Sequence, residues 1–245
     1  MADFSPCIID PKKSRSEPSI DPLVLLIPIP GDFQRMNRLC SQAGALCFKN
    51  NFLRVYQSAE SLRKITVAGP AVGAPQAVMI LEKLIVLGAR RVILLGWVGG
   101  LSPTLSPGDI VLPDEAISEE GTSRHYLDEI RPRPSYPLLT DLKMGMKQEG
   151  LSYQQGPIWT TDAPYRETIG KLKALQSQGV LGVDMETSAL FTVAAFRGIE
   201  AAALLIVSDD LSKMTWRHGF RNVRFLMARK QVIRFLYRFV IRSSV

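Results

Sequence analysis

Short runs of apolar residues alternate along this chain with longer segments in which apolar positions recur at helical spacing. The apolar runs have the length of strands buried on both faces of a parallel sheet, and they cover residues 23–27, 64–68, 91–95 and 201–207. Helices are predicted to begin near Met36 and to cover residues 76–87, 138–149, 165–178 and 186–197. This alternation predicts a single-domain, three-layer α/β/α fold with a mixed, mostly parallel central sheet.

Two segments depart from this alternation. Residues 1–22 mix Pro, Ser, Lys and Asp with few apolar residues, which predicts a flexible leader ahead of one domain over residues 23–245. Residues 43–63 are interpreted as two strands around a turn at residues 49–51.

The C-terminal segment is strongly basic. Nine of the 30 Lys and Arg residues lie within residues 211–245, together with none of the 23 Asp and Glu residues. Basic and apolar residues recur there at helical spacing, so we expect an amphipathic helix that packs on the domain and exposes a cationic face. Contact of this face with an anionic membrane is the alternative, whereas no nucleic-acid-binding motif accompanies the charge.

Composition narrows the class of protein further. The chain has 245 residues, of which 46% are hydrophobic, and this suits one globular domain with a large core. No apolar run reaches the roughly 18–20 residues that span a bilayer, and the N-terminal sequence lacks the pattern of a signal peptide. The three Cys and two His residues show no metal-ligand spacing, which favours free thiols in the cytoplasm and no metal site.

The segment Asp184-Met185-Glu186 carries the clearest candidate chemistry. Carboxylates accept hydrogen bonds from paired hydroxyl groups, and Met packs against the apolar face of a sugar. The alternative is that acidic residues here favour the N-terminus of the following helix through its dipole. The segment resembles the ribose-binding signature of the nucleoside phosphorylase family, which usually reads Glu-Met-Glu. The resemblance implies that Asp184, Met185 and Glu186 bind ribose.

Two glycine-rich turns resemble the phosphate loops of the same family. Gly31 and Arg35 lie at the matching positions of the first loop, and Gly96 and Trp97 belong to the second. The resemblance implies phosphate contacts from these residues, because backbone amides at such turns bind anions and Arg supplies the donors that oxyanions favour. The second loop departs from the pattern, since Leu94 and Trp97 replace the Arg and the Ser or Thr that are usual in the bacterial hexameric type.

The implied base site draws on two other segments. Tyr165 matches an aromatic residue that the family places over the base, and Trp159 either stacks on the base or belongs to the core. Ser208-Asp209 resembles the purine-cleaving branch, in which the Asp protonates or hydrogen-bonds N7 of the leaving base. Cleavage of an N-glycosidic bond places negative charge on the base, so a nearby acid assists the reaction. Asp209 is the candidate general acid, and Asp210 is the second choice for this role. Capping of the following segment is the alternative for Asp209.

Three further candidates rest on looser matches. His125 lies in a Gly-Thr-Ser-x-His stretch similar to one in uridine phosphorylases, and a role beside the substrate or in the loop structure is open. Lys49 and Arg54 lie near the segment from which relatives send a basic residue to the phosphate of a neighbouring subunit. Solvated surface charge is the alternative for both.

The resemblance implies a nucleoside phosphorylase, which cleaves a nucleoside with phosphate to give the free base and ribose-1-phosphate. It implies phosphate as co-substrate, no cofactor, and a homo-oligomer (dimer, trimer or hexamer). Asp209 favours purine bases, whereas the stretch that contains His125 favours uridine. Leu94 and Trp97 favour the alternative of a nucleosidase that uses water. A non-catalytic nucleoside-binding protein associated with a membrane through its basic helix is the third interpretation.

Overall fold

The computed structural model describes residues 7–40, 44–49, 53–58 and 65–243. These residues form one ten-stranded mixed sheet, whose strands are β1 Leu23–Leu26, β2 Gly44–Lys49, β3 Arg54–Ser58, β4 Thr66–Gly69, β5 Arg91–Gly100, β6 Ile110–Ser118, β7 Gln154–Thr160, β8 Gly182–Asp184, β9 Glu200–Asp210 and β10 Arg217–His218. The α-helices of the described part are α1 Pro30–Cys40, α2 Gly73–Leu87, α3 Tyr136–Gln148, α4 Ile169–Ser177, α5 Thr187–Arg197 and α6 Val223–Ser243. The α/β class predicted from the sequence is confirmed.

Part of the sheet closes on itself. The strand order is β10-β9-β6-β7-β8-β5-β1-β4-β3-β2, and β9 also pairs with β5. Strands β5, β9, β6, β7 and β8 therefore form a closed ring, from which β1, β4, β3 and β2 extend as an open sheet. The two strands predicted within residues 43–63 are confirmed as the antiparallel pair β2 and β3, whereas the turn predicted at residues 49–51 lies, beyond Lys49, outside the described residues. Strand β1 pairs in parallel with both β4 and β5.

The continuous apolar runs reflect burial on both faces of the sheet. In β1, Val24 and Leu26 pack into the core beneath α2 and α5, whereas Leu23 and Leu25 pack into the core beneath α1, α3 and α6. All four side chains are buried. Apolar residues at successive positions are thus required, because the pleat points them alternately to two separate cores.

Strand β5 is longer than its sequence predicts. The expected strand ends at residue 95, but β5 continues through the glycine-rich segment to Gly100 and pairs with β9 along its whole length. Glycines permit a close approach of strands at its end, since a Cβ added to Gly182 in β8 would lie 2.6 Å from the carbonyl oxygen of Gly99. The interpretation of residues 96–100 as a loop is therefore wrong.

Two helix predictions also need correction. The helix expected over residues 165–178 is split into a 3-10 turn, Pro164–Arg166, and α4, because Thr168 adopts an extended conformation with ψ of 149°. The basic residues at helical spacing from Arg217 onward do not all lie on a helix, since Arg217 and His218 pair with β9 as β10. The amphipathic helix itself is confirmed from Val223 and buries Phe225, Phe235 and Phe239 among its apolar residues.

The N-terminal segment contacts the domain before the first strand. Ile20 is buried, and its amide donates a 3.0 Å hydrogen bond to the carbonyl of Leu87 at the end of α2. Lys83 on the same helix pairs with Glu17 at 2.7 Å. The flexible leader over residues 1–22 stays a prediction, and these contacts fix where the chain joins the domain.

Candidate active site

Three of the predicted site segments, at Gly31, Glu186 and Asp209, lie at or just after the ends of strands β1, β8 and β9. Strands β1, β4, β5 and β9 run parallel to one another through their β1–β4, β1–β5 and β5–β9 pairings, so their carboxyl ends lie along one edge. Ligands of open parallel sheets bind at such an edge. Strand β8 joins the same region because Gly99 pairs with Val183, immediately before Asp184.

Glu186 is held against the N-terminus of α2. The amide of Gly73 donates a 2.8 Å hydrogen bond to Oε1 of Glu186. Gly73 has a φ of +73°, and a Cβ at this position would lie 3.9 Å from the Met185 methyl carbon. The turn thus places the backbone of Gly73 in contact with the side chains of Met185 and Glu186. Burial, with the nearby Asp184, raises the pKa of Glu186 to about 8 against the opposing backbone hydrogen bonds.

Asp184 is buried and its two oxygens are occupied within the protein. Oδ1 accepts a 2.6 Å hydrogen bond from Thr160 Oγ1, and Oδ2 accepts hydrogen bonds from the Thr187 amide at 2.9 Å and the Glu186 amide at 3.3 Å. The Thr187 hydroxyl also donates to Oδ2. Burial raises the pKa of Asp184 in spite of these contacts. They match the alternative weighed from the sequence, in which the acid anchors the start of a helix.

Asp209 is oriented by two donors at the end of β9. Ser208 Oγ donates to Oδ1 at 2.5 Å, and Trp216 Nε1 donates to Oδ2 at 2.9 Å. Gly99 packs directly beside it, since a Cβ there would lie 3.2 Å from Asp209 Oδ2 and 3.3 Å from Val183 Cγ1. Gly99 thereby joins the end of β8, which leads to Glu186, to the carboxylate of Asp209.

A second carboxyl, Glu167, lies between the 3-10 turn and α4. Burial, together with the charge of Asp209, raises the pKa of Glu167 to about 7. Glu167 therefore lies close enough to Asp209 for the two carboxyls to repel each other when both are ionised. No sequence motif identifies Glu167. Its approach to Asp209 depends on the interruption of the predicted helix between the 3-10 turn and α4.

An aromatic cluster that the sequence analysis missed lies on the segment after β9. The rings of Trp216, His218 and Phe220 follow one another, with centroids 6.0 Å apart for the first pair and 6.1 Å for the second. Phe220 in turn stacks on Trp97 with centroids 5.9 Å apart. The spacing of two residues between the aromatic positions is the signal for a strand that could have located them.

The first phosphate loop contains a buried acid that is neutralised by the C-terminal helix. Asp32, with a side chain 1% exposed, accepts hydrogen bonds from Trp97 Nε1 at 2.7 Å and from Arg229 Nε at 2.9 Å, and pairs with Arg229 Nη2 at 2.7 Å. The Arg229 guanidinium also lies 4.8 Å from the centre of the Trp97 ring. A Cβ added to Gly31 would meet Arg229 Nη2 at 3.3 Å. The sequence analysis identified neither Asp32 nor Arg229.

The remaining candidates differ in exposure. Trp159, 1% exposed, lies in a third apolar cluster beside α4, so the structure favours the core interpretation over base stacking. Tyr165 is fully exposed on the 3-10 turn, and His125 is exposed on another. Lys49 and Arg54 are exposed partners across the β2–β3 hairpin.

The turn that carries His125 is fixed by a buried carboxylate. Glu120 accepts hydrogen bonds from the amides of Thr122 and Ser123 at 2.6 and 3.1 Å, and from the hydroxyl of Ser188 on α5 at 3.1 Å. Burial alone would raise the pKa of Glu120, but its hydrogen bonds lower it below its usual value. The turn is thereby tied to the helix that follows Glu186.

The described residues contain neither a membrane-spanning helix nor a metal-binding cluster. None of their helices is long and apolar enough to cross a membrane. Likewise, the described ranges bring together no group of three His, Cys, Asp or Glu residues that would hold a metal ion.

Known proteins resemble this chain over most of its length. A guanosine phosphorylase of Halorubrum lacusprofundi is 28% identical over 187 residues, which cover 75% of this chain and 77% of the relative. A DeoD-type purine nucleoside phosphorylase of Brevibacillus brevis is 29% identical over 195 residues, which cover 76% of this chain and 81% of the relative.

Solved structures share the fold at lower sequence identity. A uridine phosphorylase from Vibrio fischeri matches with a TM-score of 0.80 at 23% identity, covering 94% of this chain and all of that one. A purine nucleoside phosphorylase from Toxoplasma gondii matches with a TM-score of 0.83 at 20% identity, covering 95% of this chain and 98% of that one. The sequence also matches the profile of the phosphorylase superfamily over residues 22–241, so the chain belongs to that superfamily.

Proposed function

We propose that this protein is a nucleoside phosphorylase that cleaves the N-glycosidic bond of a purine nucleoside with inorganic phosphate. The observation that carries the proposal is the packing of Gly99 between the end of β8 and the carboxylate of Asp209. This packing brings a group suited to the ribose and a group suited to the base to one place. The relatives named guanosine and purine nucleoside phosphorylase support the same reaction.

In this proposal Glu186 binds the ribose hydroxyls and Met185 lies against the sugar. Glu186 Oε1 already accepts a hydrogen bond from Gly73, which leaves Oε2 and the remaining lone pair of Oε1 for the sugar. Asp184 takes part indirectly, because its oxygens are engaged with Thr160, Thr187 and the Glu186 amide. It would hold the Glu186 backbone in position.

Asp209 assists departure of the base. As the bond between C1′ and the base nitrogen breaks, the bonding electrons move onto the base, and a proton delivered at N7 neutralises it. Ser208 and Trp216 orient the Asp209 carboxyl, and Glu167 beside it supplies a second carboxyl that is partly protonated near neutral pH. The aromatic rings of Trp216 and Tyr165, both exposed, are available to stack on a base.

In this proposal phosphate is bound between the first turn of α1 and the glycine-rich second half of β5. Gly31 lies in the first turn of α1, Gly96 lies in β5, and Arg35 would supply a guanidinium from the first turns of α1. Trp97 lacks the hydroxyl usual in bacterial relatives, and its ring nitrogen is committed to Asp32. Arg229 also lies beside Gly31, but its charge is balanced by Asp32.

We further propose that a neighbouring subunit completes the site in a homo-oligomer in the cytoplasm. Lys49 and Arg54, exposed on one hairpin, are the candidate contributors to the partner's phosphate site. The reaction needs phosphate as co-substrate and no cofactor, because the nucleophile and the proton donor are both supplied by phosphate and side chains.

The test is release of free base from inosine, adenosine, guanosine, uridine and methylthioadenosine, with and without phosphate. We expect turnover that requires phosphate and yields ribose-1-phosphate, with purine nucleosides preferred and with loss of activity in Asp209→Asn. Equal turnover without phosphate would instead make the protein a nucleosidase, the function that Leu94 and Trp97 favour. Absence of turnover on every substrate would overturn the proposed activity.

A further inference from the structure

A groove lined by four cationic side chains runs between α1 and α6. It has a volume of about 370 Å³, and its lining residues are Arg35, Arg38, Leu39, Lys230, Ile233 and Arg234. No carboxylate is among them. Ile233 is buried beneath the groove, whereas Leu39 is partly exposed at its edge.

The other arginines of α6 show that this arrangement is not simply the cationic face of an amphipathic helix. Arg224 pairs with Asp109 at 2.9 Å, and Arg229 pairs with Asp32 at 2.7 Å. Arg238 and Arg242 both pair with Glu149. The arginines of α6 that precede and follow the groove residues along the helix are therefore paired with acidic side chains.

Within the groove the charges lack acidic partners. Among the residues that the structure describes, Lys230 and Arg234 form no ion pair, and Arg38 only donates a 3.4 Å hydrogen bond to the carbonyl of Gln34 on its own helix. The Nε atom of Arg35 is buried and finds no hydrogen-bond partner in the described part of the chain. Four like charges around one concavity repel each other, and a bound anion would remove that cost.

The groove is separate from the phosphate loops, although Arg35 belongs to both. Gly31, Gly96 and Trp97 do not line it. Asp32, which lies one turn before Arg35 on α1, is neutralised by Arg229. The cations of the groove therefore are not required to balance the buried acid of the first loop.

We propose that this groove binds an oligophosphate group, that is, two or more adjacent phosphoryl groups on a small molecule. Four cations suit several negative charges held close together, and Arg forms paired hydrogen bonds with phosphoryl oxygens. The volume is that of a small-molecule site. No aromatic residue lines the groove, and of its two apolar residues Ile233 is buried and Leu39 lies at the edge, which favours a soluble anion over nucleic acid or a membrane surface. The inference goes beyond the proposed reaction, whose co-substrate carries a single phosphoryl group.

The experiment measures binding of inorganic tripolyphosphate to the full-length protein by calorimetry at low and high salt. The variant is Lys230→Gln with Arg234→Gln, which leaves Arg35 and the phosphate loops intact. The matched control is Lys147→Gln with Lys173→Gln, two exposed lysines outside the groove whose replacement changes the net charge equally. Phosphorolysis at saturating substrate is measured for both variants.

We expect the groove variant to bind tripolyphosphate roughly a hundredfold more weakly than the parent, about tenfold for each charge-assisted contact removed. The control variant should bind like the parent, and both variants should keep full turnover. Without the anion, the groove variant should also unfold at the same temperature as the parent or higher, because repulsion has been removed.

Two results would overturn the proposal. If the groove variant, the control and the parent bound tripolyphosphate equally, the anion would not bind in the groove. It would then bind at the proposed phosphate site or non-specifically. Binding only to vesicles that contain a phosphorylated inositol lipid, with none to tripolyphosphate, would make the groove a membrane contact. Neither result depends on whether the protein is a phosphorylase.

Discussion

Adjacent acids in the Asp184-Met185-Glu186 segment have different surroundings and therefore different roles. Asp184 is buried and accepts hydrogen bonds from two Thr side chains and two amides. Glu186 is only partly buried, and its carboxyl interacts with the backbone amides of Gly73 and Met185. Its spare acceptor capacity is what a pair of ribose hydroxyls requires.

Removal of the two carboxylates should thus separate stability from activity. Glu186→Ala should lower kcat/KM roughly a hundredfold, through the loss of hydrogen bonds to ribose, and should lower the free energy of unfolding by only about 1 kcal/mol, because a single described hydrogen bond, from the Gly73 amide, is lost. Asp184→Ala should lower the free energy of unfolding by about 3 kcal/mol, because buried donors of Thr160 and Thr187 lose their acceptor. Urea unfolding and steady-state kinetics measure the two effects, and an equally destabilised Glu186→Ala protein would contradict the assignment.

The raised pKa of Glu186 predicts how stability depends on pH. Its pKa is about 8 in the folded protein against a usual value of 4.5, so the folded state holds a proton that the unfolded chain releases between these values. The free energy of unfolding should therefore fall as pH rises from 4.5 to 8, by on the order of 2 kcal/mol after allowance for partial exposure.

Comparison of the parent with Glu186→Gln tests this pH dependence. Gln carries no titrating proton, so the variant should lose less stability between pH 5 and pH 8, a window taken from the shift to about 8. Urea unfolding at several pH values provides the measurement. Parallel profiles for the two proteins would show that Glu186 titrates normally in the folded state.

At the scale of elements, α6 is joined to α1 and β5 through one buried ion pair. Arg229 on α6 neutralises Asp32 on α1, and Trp97 on β5 donates to the same carboxylate. Removal of one partner from a buried pair leaves the other charge uncompensated, whereas removal of both costs much less.

The pair should accordingly show strong coupling. Arg229→Met should lower the free energy of unfolding by about 3–5 kcal/mol, and the double variant with Asp32→Asn should recover a large part of that loss. Arg234→Met, on the same helix but without an acidic partner among the described residues, is the control and should change stability little. Additive losses in the double variant would show that the two residues do not interact.

The elements also show which parts of the site can be predicted from a sequence. Glu186 and Asp209 follow apolar runs directly, and each lies in a short motif, so local pattern is enough to locate them. The Arg229–Asp32 contact joins positions separated by 197 residues, and no local pattern encodes it. Likewise β5 runs beyond its apolar segment because β9 and β8 supply hydrogen bonds to its glycines. Contacts between distant parts of the chain determine both the Arg229–Asp32 pair and the length of β5.

At the scale of the whole molecule, the strands that carry the candidate site belong to the closed ring of β5, β9, β6, β7 and β8. Glu186 and Asp209 lie where β8 and β9 end, and Gly99 packs between these strands. Tyr165, which is proposed to stack on the base, is fully exposed. A site that is open to this degree in one chain fits the proposal that a second copy covers it and supplies Lys49 or Arg54.

A site shared between subunits predicts that two inactive variants restore each other. Lys49→Gln with Arg54→Gln should raise the KM for phosphate strongly, and Asp209→Asn should lower kcat. When these two proteins are unfolded together and refolded as mixed oligomers, some sites receive Asp209 from one chain and both cations from the other. For a dimer mixed equally, about a quarter of the sites should be intact.

The control for this exchange is a mixture of Glu186→Ala with Asp209→Asn. Both residues belong to the same half of the proposed site, since Gly99 joins the ends of β8 and β9 in one chain. No combination of these chains contains an intact site, so refolding together should restore nothing. If the first mixture also regained no activity beyond the sum of its parts, Lys49 and Arg54 would be surface charges and the active site would lie within a single chain.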